Sequence, residues 1–366
     1  LVPSSSPNSP APGAVFDVTI GKVVFGGDGL ARTAEGFVLF VPFTTEGDHA
    51  RVRVIERKAN HARAELVELL ASGPDREPAP CPYYARCGGC RYQHLTYAAE
   101  LRLKEAQVRE AFARMAKMTN IPLRPIIASP QPYHYRNRIT VHAESGQVGF
   151  RSVNGRELVD IGACLLARDE VNAALQDLRS RRPLDGHYSL RSPALPPSGF
   201  FQANHDLGET LRRLVADALP EKGATLLEGY CGGGFFTGPV AARFDEVIAV
   251  DNDARTLRDA ARLGLANVAW REGDAADVLP GELRARRQGD VAVLIDPPRE
   301  GLPTRLTEAL CLDPVARLAY VSCDPVTLAR DAKALAKSYR LASVQPIDLF
   351  PRTAQIECVT VWVRNQ

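Results

Sequence analysis

Cys323 stands in the stretch "YVSCDPVTLARD", between the strand formers Tyr320 and Val321 and a segment that begins as a helix. Asp324-Pro325 is a turn and cap signal, and Leu328 to Leu335 has amphipathic spacing. A thiol in that place is either core filling or a nucleophile raised at the carboxyl edge of an open α/β sheet. Towards the end of the chain, "DLFPRTAQIECVTVW" offers Glu357 among apolar residues at the start of a strand. Desolvation there is expected to raise its pKa. A thiolate and a carboxylate base beside a methyl donor can alkylate carbon 5 of uracil. Thiolate addition at carbon 6 makes an enolate whose carbon 5 takes the methyl. A base then removes the proton from carbon 5, and the thiol leaves.

A methyl-donor site is legible upstream. "LLEGYCGGGFFT" runs from a strand into a glycine-rich turn and a helix, which lets backbone approach a ligand closely. "VIAVDND" ends its strand on Asp251, placed to accept ribose hydroxyls, and "WREGDA" brings Asp274 to a third loop. The ordered set points to S-adenosylmethionine rather than NAD, because the spacing lacks the phosphate logic of a dinucleotide fingerprint. In "LIDPPREGL" the paired prolines stiffen a strand-end loop, and Asp296 points into the cleft. An amino-group methylase carries an aromatic after those prolines; Arg299 stands here instead.

A separate cysteine group suggests metal. "CPYYARCGGC" spaces Cys81, Cys87 and Cys90 as C-x5-C-x2-C, and "DIGACLL" adds Cys164. Four thiolates suit tetrahedral zinc or an iron–sulfur cluster, and three-plus-one spacing is commoner for clusters. Cys231, Cys311 and Cys358 read as core.

The elements that carry these groups fall into three textures, α/β in overall class. Residues 1–13, rich in Ser and Pro, read as a disordered leader rather than a signal peptide. Short apolar bursts broken by glycine turns predict a small β-barrel or sandwich over 14–73, followed by a linker. A central α+β region spans 74–190. Its clearest element is a helix over 96–118, with Leu101, Glu105, Val108, Phe112 and Met115 on one face. From 191 to 366 helices and buried strands alternate as in a doubly wound, Rossmann-like sheet, closed by an antiparallel edge strand.

Net charge is only +2, so no global basic field announces nucleic acid, although arginines cluster at Arg136/Arg138, Arg181-Arg182 and Arg284–Arg287. No apolar run approaches the ~18 residues of a membrane span. The expectation is a cytoplasmic monomer.

In order, the cysteine cluster, "YRNR", "FFQAN", the glycine turn, "DPPR", "SCDP" and "FPRTAQIE" resemble the RNA 5-methyluridine methyltransferase family, in the branch with a TRAM domain and an iron–sulfur cluster. The resemblance runs from about residue 15 to the end. It implies Cys323 as nucleophile and Glu357 as general base. It implies Gln202, Tyr230, Asp251 and Asp296 around cofactor and target uracil, with Asp274 nearby. Phe200 is similar to an aromatic stacking in the uridine site, and Arg138 to a basic residue close to it. The resemblance also implies a 4Fe–4S cluster on Cys81, Cys87, Cys90 and Cys164, an OB-like TRAM barrel over 14–73 that grips RNA, and ribosomal RNA as substrate, with tRNA second. The target base must leave its stack to reach Cys323. The sequence departs from the family at Phe235 (usually Asn), Glu228 (usually Asp), Asp324 (usually Asn) and Arg352 (often His). Asp324 is expected to raise the thiol pKa, and Arg352 to compensate. A cytosine-5 methyltransferase and a non-catalytic RNA-binding iron–sulfur protein are the alternatives.

Overall fold

The computed structural model of the chain describes residues 10–194 and 202–365, so most of the expected leader lies outside the described residues. The chain forms two compact units. The first runs to Lys104 and takes in Ile139–Leu190 and Pro351–Ala354; the second takes Glu105–Arg138, Arg191–Phe350 and Gln355–Gln366.

In the first unit, a six-stranded sheet has the order Val15–Thr19, His49–Arg57, His61–Ala71, Val38–Pro42, Asp28–Arg32, Lys22–Val23. Alternation puts Val18, Leu39, Val41, Val52, Val54, Ala62 and Ala64 in one apolar cluster, as the period of a half-buried strand requires. The segment after this sheet is not a loose linker. Fully buried Asp48 accepts the Thr45 N–H (2.8 Å) and the Gly73 N–H (2.9 Å), and Arg76 Nη2 reaches it at 2.6 Å. That carboxylate ties "SGPDREP" to the sheet. A four-stranded sheet follows, ordered Gly186–Arg191, Arg138–Glu144, Gln147–Arg151, Leu158–Asp160, with Val171 and Leu175 of the helix Asp169–Ser180 in its core.

The helix expected over 96–118 is an α-helix at Tyr97–Ala111 that widens into a π turn at Phe112–Ala116. The wider turn rotates the last residues. Val108 and Phe112 are buried as the helical spacing predicts, while Met115 is 42% exposed and Ala116 takes the inner position. The π turn packs on the helix Pro325–Leu335.

The second unit is built on a seven-stranded sheet: Val268–Glu272, Phe244–Asp251, Gly223–Gly229, Val291–Ile295, Arg317–Ser322, Glu357–Arg364, Tyr339–Ile347. The first five are parallel. Their near-continuous apolar runs reflect burial on both faces. The last strand is antiparallel, as its sequence suggests, but it is not an edge. It lies between Arg317–Ser322 and Tyr339–Ile347 and pairs with both.

Asp48 offers a direct test of the first unit. Its carboxyl is held below the usual range against the pull of burial, chiefly by Arg76 and by the Gly73 and Thr45 amides. Asp48→Ala leaves a half-buried guanidinium and two amides without their acceptor, and should cost roughly 3 kcal/mol, read as faster hydrogen exchange in His49–Arg57. Because the folded pKa is depressed, the contribution is fully present above the ordinary value of 3.8 and is lost as pH falls through the folded value. The gap between wild type and variant should therefore narrow below that pH.

Candidate active site

The sheet order decides which loops meet. Asp251 and Asp296 end or follow parallel strands, as do the glycine turn after Gly229 and Cys323 after Ser322, and all lie at the same carboxyl edge. Glu357 begins an antiparallel strand, so it reaches that edge from the opposite chain direction. The register is explicit: Val321 pairs with Val359 and Ser322 with Cys358. One step further, Cys323 follows Ser322 where Glu357 precedes Cys358.

Cys323 is half-buried and unbridged. Desolvation pushes its thiol up to about 11, with Glu357, Asp296 and Asp324 adding to the rise and Arg299 opposing it. Glu357 is buried, which together with the Asp296 charge drives its carboxyl well above the usual range. Asp296 keeps some exposure, yet desolvation raises it to about 7. Two carboxyls that share one desolvated corner cannot both ionise near neutral pH, so the corner retains a proton there.

Asp324 caps the helix Pro325–Leu335, its Oδ1 accepting the Val326 N–H (2.8 Å) and the Thr327 N–H (3.0 Å). Either Asn or Asp makes such a cap, and the helix N-terminus absorbs much of the added charge. Asp324 is accordingly the last of the causes that raise Cys323. Arg352 does not supply the expected compensation. Its Nη1 donates to the Leu95 carbonyl (2.6 Å) and lies 3.5 Å from Glu77 and 3.6 Å from Glu100, while its backbone N–H donates to Glu100 Oε1. The cation that acts on Cys323 is Arg299, the residue in the place of the methylase aromatic.

At the glycine turn, Gly232 and Gly234 have φ of +51° and +78°. A Cβ on Gly234 would come within 2.8 Å of Leu263, whereas one on Gly232 would meet nothing within 4 Å. Gly234 therefore serves packing, and Gly232 borders open space. Asp251 Oδ2 accepts the Gly232 N–H (2.8 Å) and its Oδ1 the Asp253 N–H (2.9 Å). Tyr230 adopts φ +62°, and burial followed by the Asp274 charge raises its hydroxyl to about 12. Glu228 is fully enclosed. Its Oε2 accepts the Thr237 hydroxyl (2.7 Å), while Oε1 has no hydrogen-bond partner among the described residues. Burial raises its carboxyl to about 8.

Asp274 is committed elsewhere. It caps the helix Ala275–Ala285 through the Ala276 N–H (2.8 Å) and pairs with Arg305 Nη2 (2.7 Å). Phe235 is buried under the Arg212 guanidinium, 4.3 Å from the ring centre. Gln202 is half-buried near Phe235, and Arg138 is exposed at the start of its strand. Phe200 lies outside the described residues. Arg299 is the residue that sequence reasoning passed over as a site component, visible there only as a departure after the prolines.

The four cysteines lie in the first unit, all half-buried. Cys87 is raised by burial, and Cys164 and Cys81 add to that rise. Cys87 and Cys164 pack on one apolar cluster, whereas the charge of Cys90 is felt at Tyr84. The donor chemistry suits a four-thiolate site, but among the described residues no group of three His, Cys, Asp or Glu side chains is arranged to hold a metal ion.

Comparisons with known proteins match two stretches of the chain to known families and its fold to a solved structure. Residues 11–67 match the TRAM domain, and residues 287–365 match the tRNA (Uracil-5-)-methyltransferase family, a span that holds Asp296, Cys323 and Glu357. The chain is 29% identical to an uncharacterised RNA methyltransferase of Gloeobacter violaceus, covering 96% of this chain and 97% of that one. It is 28% identical to another from Aquifex aeolicus, covering 94% and 97%. The fold is similar to that of Pyrococcus abyssi tRNA (uracil-54, C5)-methyltransferase, solved with S-adenosyl-L-homocysteine: the TM-score is 0.69 at 22% identity, covering 94% of this chain and all of that one.

The charges around Cys323 predict its reactivity. Glu357→Gln should lower the thiol pKa and speed iodoacetamide labelling of Cys323 several-fold at pH 8, and Arg299→Ala should slow it. Peptide mapping separates this cysteine from the others; equal rates in all three proteins would refute the assigned electrostatics.

Proposed function

We propose that this chain, an RNA methyltransferase of the uracil-5 type that carries a TRAM domain, methylates carbon 5 of one uridine in structured RNA through a covalent bond from Cys323. The observation that carries this reading is the meeting of Cys323, Asp296 and Glu357 at one sheet edge, electrostatically coupled.

S-adenosylmethionine, when bound, supplies an electrophilic methyl group. The residues beside the glycine turn fit it: open space faces Gly232, a strand-end carboxylate stands at Asp251, and Glu228 Oε1 is an acceptor in reserve. Gln202 and Tyr230 complete the proposed cofactor contacts. Asp274 is tied to Arg305 and contributes by holding its loop. Phe200 and Arg138 are the proposed contacts to the uridine.

Arg299 favours the thiolate form of Cys323, which adds to carbon 6 of the flipped base. Carbon 5 then takes the methyl. Glu357, in its ionised form, removes the proton left on carbon 5, the carbon 6–sulfur bond breaks, and the thiol is restored. A raised carboxyl suits this task, since a base near the working pH transfers protons efficiently. Product release should keep increasing with pH well past the ordinary carboxylate value of 4.5, instead of levelling off just above it.

Ribosomal RNA is the proposed substrate, in the cytoplasm; among the described residues no helix is long and apolar enough to cross a membrane. The neighbour's substrate supports tRNA as a second reading, and mapping of 5-methyluridine in both RNA pools, with and without the gene, separates the two. Cys81, Cys87, Cys90 and Cys164 are proposed to hold a 4Fe–4S cluster as a staple for their segment. Protein purified without oxygen should then contain about four irons and four sulfides per chain; stoichiometric zinc instead would overturn the assignment.

The mechanism has two separable signatures. Cys323→Ala should abolish methylation and leave cofactor affinity nearly unchanged. Glu357→Gln should methylate but stall, so that methylated RNA stays covalently bound and migrates slowly under denaturing conditions. Free methylated RNA released at the wild-type rate would show that another group is the base. RNA containing 5-fluorouridine should trap the wild type in the same way, because fluorine does not leave as a proton does.

A further inference from the structure

Asn137 has no part in the chemistry above, yet it holds two separate stretches of the chain through three hydrogen bonds. It is 2% exposed. Its backbone N–H donates to the Ala203 carbonyl (3.0 Å), and its own carbonyl accepts the Ser192 N–H (2.8 Å). Its side-chain Nδ2 donates to the Gln202 carbonyl (2.9 Å), across 65 residues of sequence. The adjacent Arg136 and Asn204 form an isolated antiparallel bridge. One residue therefore fixes the chain at Ser192 and again at Gln202–Ala203.

The side chain's orientation follows from its partner, because a carbonyl acceptor demands the NH2 end of the amide. The other end, Oδ1, is buried with no hydrogen-bond partner among the described residues. That is a desolvation cost an apolar side chain would avoid, and the bond to Gln202 is what offsets it. Gln202 in turn lies near Phe235, the residue that follows the glycine turn. A Cβ built on Gly208 would lie 4.0 Å from Gln202 Cβ and 3.9 Å from Phe235 Cζ, so both residues cover the same point of the helix His205–Ala218.

We propose that Asn137 is a positioning residue for cofactor binding: its carboxamide clamps the Gln202 backbone and keeps that side chain beside the glycine turn, where it meets S-adenosylmethionine. The proposal rests on the reading of Gln202 as a cofactor contact. A neutral side-chain hydrogen bond sets the scale of the effect, about five- to tenfold in affinity. The backbone bonds of Asn137 survive substitution, so the loss should fall on binding rather than on the chemical step.

The test measures S-adenosylmethionine affinity by calorimetry, and KM and kcat on RNA, for full-length Asn137→Ala, Gln202→Ala and the double variant. Asn137→Ala should weaken binding about five- to tenfold and raise the cofactor KM in proportion, with kcat at saturation within about twofold. In the Gln202→Ala background it should add less than about twofold, because both act through one contact. If Asn137→Ala fails to fold, Asn137→Ser, whose shorter hydroxyl does not span to Gln202, carries the same expectation. Wild-type affinity in Asn137→Ala alongside weakened Gln202→Ala overturns the positioning role alone. Wild-type affinity in Gln202→Ala overturns the reading of Gln202 and this proposal with it. A fall in kcat at unchanged KM, or full additivity with Gln202→Ala, also overturns it.

Discussion

The site depends on the reversal of one strand. In a parallel sheet every strand delivers its last residue to the carboxyl edge, and the residue after it enters a loop. Glu357–Arg364 runs the other way, between Arg317–Ser322 and Tyr339–Ile347, so it delivers its first residue to that edge. The base candidate is thereby held within a ladder of hydrogen bonds instead of on a loop. The nucleophile candidate ends the neighbouring strand. Two residues 34 positions apart in sequence meet because antiparallel pairing continues up to Ser322 and Cys358. The rest of the unit supports this pair: buried parallel strands set the edge, and the cap at Asp324 sets where the chain turns after Cys323.

The same burial that holds these groups adjusts their acidity. Glu357 and Asp296 are desolvated together, so their carboxyls rise, and the thiol between strand and cap rises with them. Against three acidic neighbours stands one cation, Arg299. A site tuned in this way keeps its thiol protonated until substrate and cation act on it, which protects a half-exposed cysteine from adventitious alkylation. It also raises the base well above the ordinary carboxylate range.

Elsewhere, buried polar groups fix segments that the sheets leave loose. Asp48 ties the stretch after the six-stranded sheet, Glu100 receives both Lys104 and the Arg352 backbone, and Asn137 clamps Gln202. Each is an enclosed hydrogen-bonding group with partners far away in sequence. Removal of any of them would leave other polar atoms buried and unsatisfied, which is why such groups specify one arrangement rather than merely stabilise it.

The sequence by itself determined the order of elements and the residues able to do chemistry. Alternation and glycine turns marked the six-stranded sheet, buried apolar runs marked the parallel strands, and Cys323, Asp296 and Glu357 stood out because reactive side chains next to strand ends are rare. These are local signals, readable from residue type and period. Tertiary structure alone decided the rest. The position of the last strand inside the sheet is a choice of pairing partner, on which its own residues are silent. The π turn that exposes Met115 depends on packing against the helix after Cys323. Arg352 was assigned to the wrong charge because its true partners, Glu77 and Glu100, lie more than 250 residues away. Whether an ionisable group is desolvated, and by which neighbour it is answered, depends on distances in space that no sequence period encodes.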